Sequence, residues 1–173
     1  MKQLDPKAVW LFFFSFLPRI FIFLWLVSIF ATPFLGFLVI PNNSENMFFV
    51  YVGTSLIIML LWVLILLVLN YVWAKLSYKF YKYELADLGF KKESGVIYKK
   101  YVTIPYDRIQ NVDINRGIFA RILHLSDLQI QTAGSSGTAG SEGRLPGLSV
   151  ASAEELRDEL IKRAHQLKDK SGV

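Results

Sequence analysis

Two long segments without charge constrain this chain more than any other feature. No Asp, Glu, Lys or Arg occurs in residues 20–44 or in residues 46–74. A helix of about 20 apolar residues can cross a hydrocarbon core of about 30 Å, and within lipid a single segment satisfies its own backbone only as a helix. The sequence therefore predicts two transmembrane helices, over residues 20–40 and 48–70.

The connection between these predicted helices, residues 41–46 ("PNNSEN"), is short and turn-rich, which predicts a helical hairpin. Basic residues flank the hairpin on both sides: Lys2, Lys7 and Arg19 before it, and Lys75, Lys79 and Lys82 after it. By the positive-inside rule, both termini are cytoplasmic and the loop 41–47 is external. We therefore expect a multi-pass protein of the cell (inner or plasma) membrane.

The apolar stretch at residues 8–18 allows more than one interpretation. No small-residue cleavage site follows it, so we reject a signal peptide. We expect a helix lying in the membrane interface that ends near Pro18 and places Trp10 and Arg19 at headgroup depth. The alternative is one long helix that is kinked at Pro18.

After Ala74 the composition becomes that of an ordinary soluble domain, which predicts a membrane domain at 1–74 and a cytoplasmic domain at 75–173. Alternating β-branched and aromatic residues predict strands near 80–86, 89–93, 96–105, 109–114 and 127–133. The alternation breaks at Gln110–Asn111. A short helix or turn is predicted at 117–125, a flexible loop at 134–143 and a further short strand from Arg144.

The last segment predicts an amphipathic helix over residues 152–168. Ser152 and Glu155 have the spacing of a capping box. The predicted apolar face holds Leu156, Leu160, Ile161, Ala164 and Leu167. Short strands followed by one covering helix indicate an α+β fold, with a small, strongly bent antiparallel barrel or sandwich that this helix closes.

Composition argues against several classes of function. The chain has no cysteine, only His124 and His165 as histidines, and no cluster with metal-ligand spacing. No nucleophile and base are placed together in the sequence. We therefore expect no metal, no cofactor and no enzymatic activity. The net charge of +5 suits an anionic membrane surface but is too small to indicate nucleic acid.

The segment "SGVIYKKYVTIPYDRIQNVDINRGIFARILHLSDLQIQTAG", followed by "LPGLSVASAEELRDELIKRA", resembles the bacterial pleckstrin-homology (PH) family of membrane proteins. The resemblance covers residues 78–167, and the paired membrane helices fit it as well. It implies a bent antiparallel barrel of about seven strands that a C-terminal helix closes. It implies no characterised enzyme, and PH-like folds elsewhere bind phosphoinositides, peptides or proteins.

Three lysines are candidates for contact with anionic lipid headgroups. If the second helix continued past Lys75 and Lys79, Lys82 would share their face. Such lysines also mark topology, and we favour that simpler role.

A second candidate surface, for a partner or ligand, comprises Arg108, Gln110, Arg116 and Arg144. The structural alternative, which we favour, is that Arg108 pairs with Asp107 or Asp113 and that Gln110 bonds free backbone at a bulge. Residues 134–143 lack the Gly-Lys-Ser/Thr ending of a phosphate-binding loop.

These observations together predict a membrane-anchored PH-like binding or scaffold module. Its expected partners are the lipid bilayer, another membrane protein or a second copy of the chain, and anionic lipid headgroups, with no nucleic acid. The alternative is a structural subunit of a larger membrane complex or homo-oligomer, in which the transmembrane helices carry the specific contacts.

Overall fold

A computed structural model of the chain describes residues 1–39, 47–132 and 143–171. The chain forms two compact units. The first, here called the helical unit, is Phe13–Trp73, and the second, the sheet unit, combines Met1–Phe12 with Ala74–Val173. The connection predicted at 41–46 and nearly all of the loop predicted at 134–143 lie outside the described residues.

Two long helices, α1 (Ala8–Val39) and α2 (Met47–Lys79), supply the helical unit. Each contains a stretch long and apolar enough to cross a membrane, Ala8–Val27 in α1 and Val52–Lys79 in α2. The side-chain amide of the buried Asn70 donates a hydrogen bond of 3.1 Å to the carbonyl oxygen of Phe13. The early part of α1 therefore lies beside the late part of α2, as in an antiparallel hairpin.

The first helix is continuous through Pro18, so the prediction of a separate interfacial helix ending there is wrong and the alternative of one long helix holds. Proline removes one backbone donor from a helix. Apolar residues flank Pro18 on both sides except for Arg19, and ending the helix among them would leave several more backbone groups without partners. Helices in lipid tolerate an internal proline for this reason.

The sheet unit contains two antiparallel sheets among the described residues. Four strands form the first sheet in the order β1-β2-β3-β4: Lys2–Gln3, Lys82–Leu85, Gly89–Ser94 and Lys100–Pro105. Three strands form the second in the order β5-β6-β7: Ile109–Asn115, Leu125–Thr132 and Gly143–Ser149. A 3-10 turn (Tyr106–Arg108) links the sheets, α3 (Ile118–Ile122) joins β5 to β6, and α4 (Val150–Ser171) follows β7. The predicted α+β, PH-like fold class is confirmed.

Strand β1 was not predicted. Lys2 pairs with Tyr83 and Gln3 pairs with Lys82, so the segment before α1 completes the first sheet. Leu4 and Ala8 are buried in the core of the sheet unit. The two long helices are therefore inserted between the first and second strands, and residues 1–12 belong to the sheet unit. A two-residue strand is too short to produce a periodic pattern, so the sequence carried no signal for it.

The N-terminal end of α1 is capped and docked on β7. The backbone amide of Lys7 donates to the Oδ1 atom of Asp5 at 2.9 Å, and Pro6 occupies the first position of the turn, where no donor is needed. The backbone amide of Asp5 donates to the carbonyl oxygen of Gly147 at 3.2 Å. Gly147 has a positive φ of 70°, and a Cβ atom there would lie 2.5 Å from the Cβ atom of Ala8.

Helix α4 begins earlier than predicted. The backbone amide of Ser152 donates to the Oγ atom of Ser149 at 3.2 Å, so Ser149 is the cap and the predicted capping role of Ser152 is wrong. The serine hydroxyl that accepts a hydrogen bond from the first turn of α4 is therefore that of Ser149, the last residue of β7, three residues before Ser152. The buried face of α4 comprises Ala153, Leu156, Leu160 and Ala164, with Leu167 partly buried. Ile161, which we predicted on this face, is 36% exposed because it lies about 100° around the helix from Leu160.

Candidate functional site

The predicted headgroup lysines lie in two different elements. Lys75 and Lys79 lie four residues apart in the last turns of α2, and both are exposed. Lys82 is the first residue of β2, is half-buried and pairs in register with Glu93. Lys82 therefore does not share a helical face with Lys75 and Lys79, because α2 ends at Lys79 and the chain then enters β2.

Two further lysines, Lys99 and Lys100, lie at the same end of the first sheet, and sequence reasoning missed them. Lys99 is the last residue of the β3–β4 loop (residues 95–99), and Lys100 is the first residue of β4 and opposes Ser94 in the strand register. The Nζ atom of Lys99 is 3.5 Å from the Oε1 atom of Glu93 and 5.8 Å from the ring centroid of Phe80. We name Lys79, Lys82, Lys99 and Lys100 the basic end. The predicted strand over 96–105 begins only at Lys100, because the turn at Ser94–Gly95 continues as a loop to Lys99.

The four residues of the predicted partner surface have different surroundings. Arg108 and Gln110 are exposed, in the 3-10 turn and at the bulge of β5. The Nε atom of Arg116 donates to the carbonyl oxygen of Leu125 at 3.3 Å. Arg144 is ion-paired with Asp127, with 2.6 Å between Nη2 and Oδ2. Both side chains therefore bond residues of β6 in the second sheet.

The structural alternatives for Arg108 and Gln110 have different outcomes. A register shift between Ile109 and Asn111 confirms the predicted bulge at Gln110, whereas the bond from the Gln110 side chain to free backbone stays a prediction. Within the described ranges, Arg108 forms no ion pair with either predicted acid, so that prediction is wrong. The carboxylate of Asp113 instead accepts hydrogen bonds from the side-chain amides of Asn111 and Gln131, its neighbours on the same face of the sheet.

A polar cluster joins the two sheets. The Tyr81 hydroxyl and the Lys92 Nζ atom both donate to the carbonyl oxygen of Arg144, the latter at 3.1 Å. The Oδ1 atom of Asp127 accepts a hydrogen bond from the backbone amide of Gly147 at 3.2 Å. Burial raises the pKa of the Tyr81 hydroxyl strongly, although the charge of Arg144 opposes this effect. The cluster thus fastens β7 to the first sheet through protonated donors.

Stability is expected to fall at alkaline pH because of this tyrosine. Below its ordinary pKa of 10.0 the Tyr81 hydroxyl is protonated in both the folded and the unfolded chain, so its titration does not change the free energy of unfolding. Above pH 10 the unfolded chain releases the proton while the folded chain keeps it, so the free energy of unfolding falls by about 1.4 kcal/mol per pH unit per group. Burial also raises the pKa of Tyr83 and Tyr106, which add to the slope.

The Tyr81→Phe variant is expected to show a shallower alkaline slope than the wild type, together with a loss of about 1 kcal/mol at neutral pH from the missing hydrogen bond. Urea unfolding in detergent micelles at several pH values measures both quantities. Tyr98→Phe, at a tyrosine that is 89% exposed, is the matched control. Equal alkaline slopes for the wild type and Tyr81→Phe would contradict the prediction.

An open cleft of about 880 Å³ lies between the β1 edge of the first sheet and α4. Its lining combines strand and helix residues: Met1, Lys2, Gln3, Tyr83, Glu84, Leu85, Ser152, Glu155, Leu156 and Glu159. The Oε1 atom of Glu159 is 2.6 Å from the Nε atom of Arg163. Among the described side chains, neither Glu84 nor Glu155 has an ion-pair partner. The lining also includes the positive groups of Lys2 and the Met1 amino terminus, and Lys91 opposes Glu84 in the strand register. We name this the acidic cleft after Glu84 and Glu155, and its volume is within the usual range of binding sites.

Comparison with known proteins identifies the family. The model of the Bacterial PH domain family matches residues 16–164. The chain is 29% identical over 134 residues to the UPF0699 transmembrane protein YdbT of Bacillus subtilis (strain 168), an alignment that covers 75% of this chain and 27% of that protein. It is 26% identical over 108 residues to the UPF0699 transmembrane protein YdbS of the same organism, covering 62% of this chain and 64% of that protein.

The chain thus spans about a quarter of the first relative and under two thirds of the second. No solved structure matches it significantly. Both relatives are named as transmembrane proteins, and α1 and α2 have the length and apolar composition of membrane helices, so membrane localisation is supported from two directions. With the family model covering most of its length and the predicted fold in place, the chain belongs to the bacterial PH domain family, here in a membrane protein.

Proposed function

We propose that this protein is a non-enzymatic, membrane-anchored binding module that recruits or organises another membrane protein at the cytoplasmic surface. The observation that carries the proposal is the insertion of α1 and α2 between β1 and β2. Two chain connections, rather than one flexible linker, then hold the sheet unit at the bilayer. Such tethering raises the effective concentration of the sheet unit for partners in the same membrane.

The strand pairing also supports the proposed topology. Strand β1 precedes α1 and strand β2 follows α2, and the two pair in one sheet, so both chain connections lie on the same side of the membrane. Two membrane crossings, one by α1 and one by α2, return the chain to the side from which it started. The excess of Lys and Arg on that side, against the single Glu45 in the connection, indicates the cytoplasm.

The acidic cleft suggests which part of a partner the module binds. Cytoplasmic segments next to transmembrane helices carry an excess of Lys and Arg. The cleft presents the carboxylates of Glu84 and Glu155 between a sheet edge and a helix, where an extended basic segment fits by charge and shape. A basic juxtamembrane segment of another membrane protein is therefore the proposed occupant.

Support for a non-enzymatic role comes from the polar side chains themselves. Tyr81 and Lys92 bond a backbone carbonyl, and Asp127 bonds Arg144 and the amide of Gly147. In the part of the chain that the structure describes, no three His, Asp or Glu side chains are grouped so as to hold a metal ion. These groups have structural tasks, which leaves binding as the proposed activity.

The experiment is mild crosslinking in native membranes followed by purification of the intact protein and identification of the captured membrane proteins. We expect the Glu84→Lys/Glu155→Lys double variant to recover at least about tenfold less of the specific partner than the wild type, since reversing two charges repels a basic segment. The control is Glu154→Lys, which makes one such charge reversal on the exposed face of α4, outside the cleft.

Melting curves of all three proteins establish that the sheet unit stays folded. Equal partner recovery by the double variant and the control would exclude the cleft as the binding site. Recovery of no membrane protein by the wild type would remove the basis of the recruitment proposal.

A second candidate function is a structural subunit whose helices carry the specific contacts. It is favoured by an apolar groove of about 340 Å³ in the helical unit, lined by Phe16, Arg19, Ile20, Phe23, Leu66, Leu69, Asn70 and Trp73. A helix of a partner or of a second copy fits such a groove. Replacing residues 13–73 with an unrelated helical hairpin separates the two functions, because retained partner recovery favours the cleft and lost recovery favours the groove.

A further inference from the structure

We infer that the β3–β4 loop is a second membrane contact of this protein, in addition to α1 and α2. In this inference Ile97 and Tyr98 enter the interfacial region of the bilayer, while Lys99 and Lys100 contact the phosphates of anionic lipids. The loop would thereby fix how the sheet unit is oriented on the membrane. The inference requires α1 and α2 to be embedded in lipid, but it is independent of any partner in the acidic cleft.

The strand register determines where the loop lies within the sheet unit. Gln3, Lys82, Glu93 and Tyr101 form one row across the four strands, at the end where β1 leads towards α1 and β2 arrives from α2. The β3–β4 loop extends beyond this row. The opposite end of the same sheet carries the β2–β3 turn with Leu88, since Leu85 pairs with Phe90 there.

Contacts at the end of α2 support this placement. The Nζ atom of Lys99 lies 5.8 Å from the ring centroid of Phe80, the residue that directly follows α2. A helix of membrane length and composition continues to Lys79. Only two residues, Phe80 and Tyr81, separate the end of α2 from the start of β2. The β3–β4 loop is therefore held near the level at which α2 leaves the bilayer.

The chemistry of the loop suits a lipid surface better than water. Ile97 is 72% exposed and Tyr98 is 89% exposed. Tyrosine is enriched at membrane interfaces because its ring is apolar and its hydroxyl is polar. The turn has a defined shape, since Gly95 has a φ of 106° and any side chain there would collide with the carbonyl oxygen of Tyr98.

The charge next to these apolar side chains is positive. Glu93 is the acid at this row and already faces two lysines, with Lys82 as its cross-strand partner and Lys99 at 3.5 Å. Lys100 is exposed and, among the described residues, forms no ion pair. Basic residues at headgroup depth attract anionic lipids, and apolar neighbours that enter the interface strengthen the contact.

The test uses the full chain, which has no native cysteine. A single cysteine is introduced at Tyr98 or, as the matched control, at Leu88, which is 85% exposed at the opposite end of the sheet. Each carries an environment-sensitive fluorophore, and each protein is reconstituted in phosphatidylcholine vesicles with and without phosphatidylglycerol. We expect a quencher attached to the lipids to remove most of the fluorescence at position 98 and little at position 88, and aqueous iodide to show the reverse order.

The Lys99→Glu/Lys100→Glu variant tests the lysines. In vesicles with phosphatidylglycerol we expect this variant to lose most of the lipid quenching at position 98, whereas quenching at position 88 stays low, and a melting curve of the variant establishes that the sheet unit is folded. Equal lipid quenching at positions 98 and 88 overturns the inference. Protection of position 98 from iodide without lipid quenching also overturns it, because a protein surface would then cover the loop.

Discussion

Replacing Gly147 with alanine is expected to lower the free energy of unfolding of the sheet unit by about 2–4 kcal/mol, because two penalties combine. The first is the positive φ of 70°, which costs a residue with a side chain about 1–2 kcal/mol. The second is steric, since the new Cβ atom would lie 2.5 Å from the Cβ atom of Ala8 and must displace the start of α1. Urea-dependent pulse proteolysis of the protein in lipid nanodiscs measures the loss, because bilayer-embedded helices are protected from cleavage.

A double-mutant cycle separates the two penalties. Ala8→Gly removes the clashing methyl group, so the Gly147→Ala/Ala8→Gly protein is expected to lose less stability than the sum of the single variants. Gly117→Ala is the control, because its φ is −67° and a Cβ atom there meets nothing within 4 Å. Strict additivity of the two substitutions would show that the start of α1 does not dock on β7 in the membrane-bound protein.

Truncating Leu160 to alanine is expected to destabilise the sheet unit by about 2–5 kcal/mol, the range for creating a cavity in a packed core. Leu160 is fully buried and belongs to the face that α4 packs against the sheets. The cavity would lie beneath the helix that also forms one wall of the acidic cleft. Partner recovery should therefore decrease together with stability.

The adjacent residue provides a matched control for this substitution. Ile161→Ala removes a similar number of carbon atoms from the same helix, but Ile161 is 36% exposed and should lose under about 1 kcal/mol. Pulse proteolysis of both variants under identical conditions compares them. Similar losses at positions 160 and 161 would mean that α4 does not pack through the face that the structure shows.

Whether a feature of the candidate sites could be predicted depended on how far apart its residues lie in the sequence. The bulge at Gln110 was predictable because a break in alternation is visible in neighbouring residues. The roles of Arg116 and Arg144 were not, since Arg116 bonds the carbonyl of Leu125 and Arg144 pairs with Asp127, both on other strands. The acidic cleft was equally hidden, because its walls come from β1, β2 and α4.

Elements that depend on consecutive residues could be predicted from the sequence. A helix long enough to cross a membrane, an alternating strand and an amphipathic helix each leave a periodic or compositional signal, and these signals with the family motifs predicted the α+β, PH-like architecture. Tertiary structure alone decided that residues before α1 complete the first sheet, as the hydrogen bond from Tyr78 to the carbonyl of Leu4 across 74 residues illustrates. Such contacts depend on which surfaces meet once the chain is folded, and no local pattern of residues encodes them.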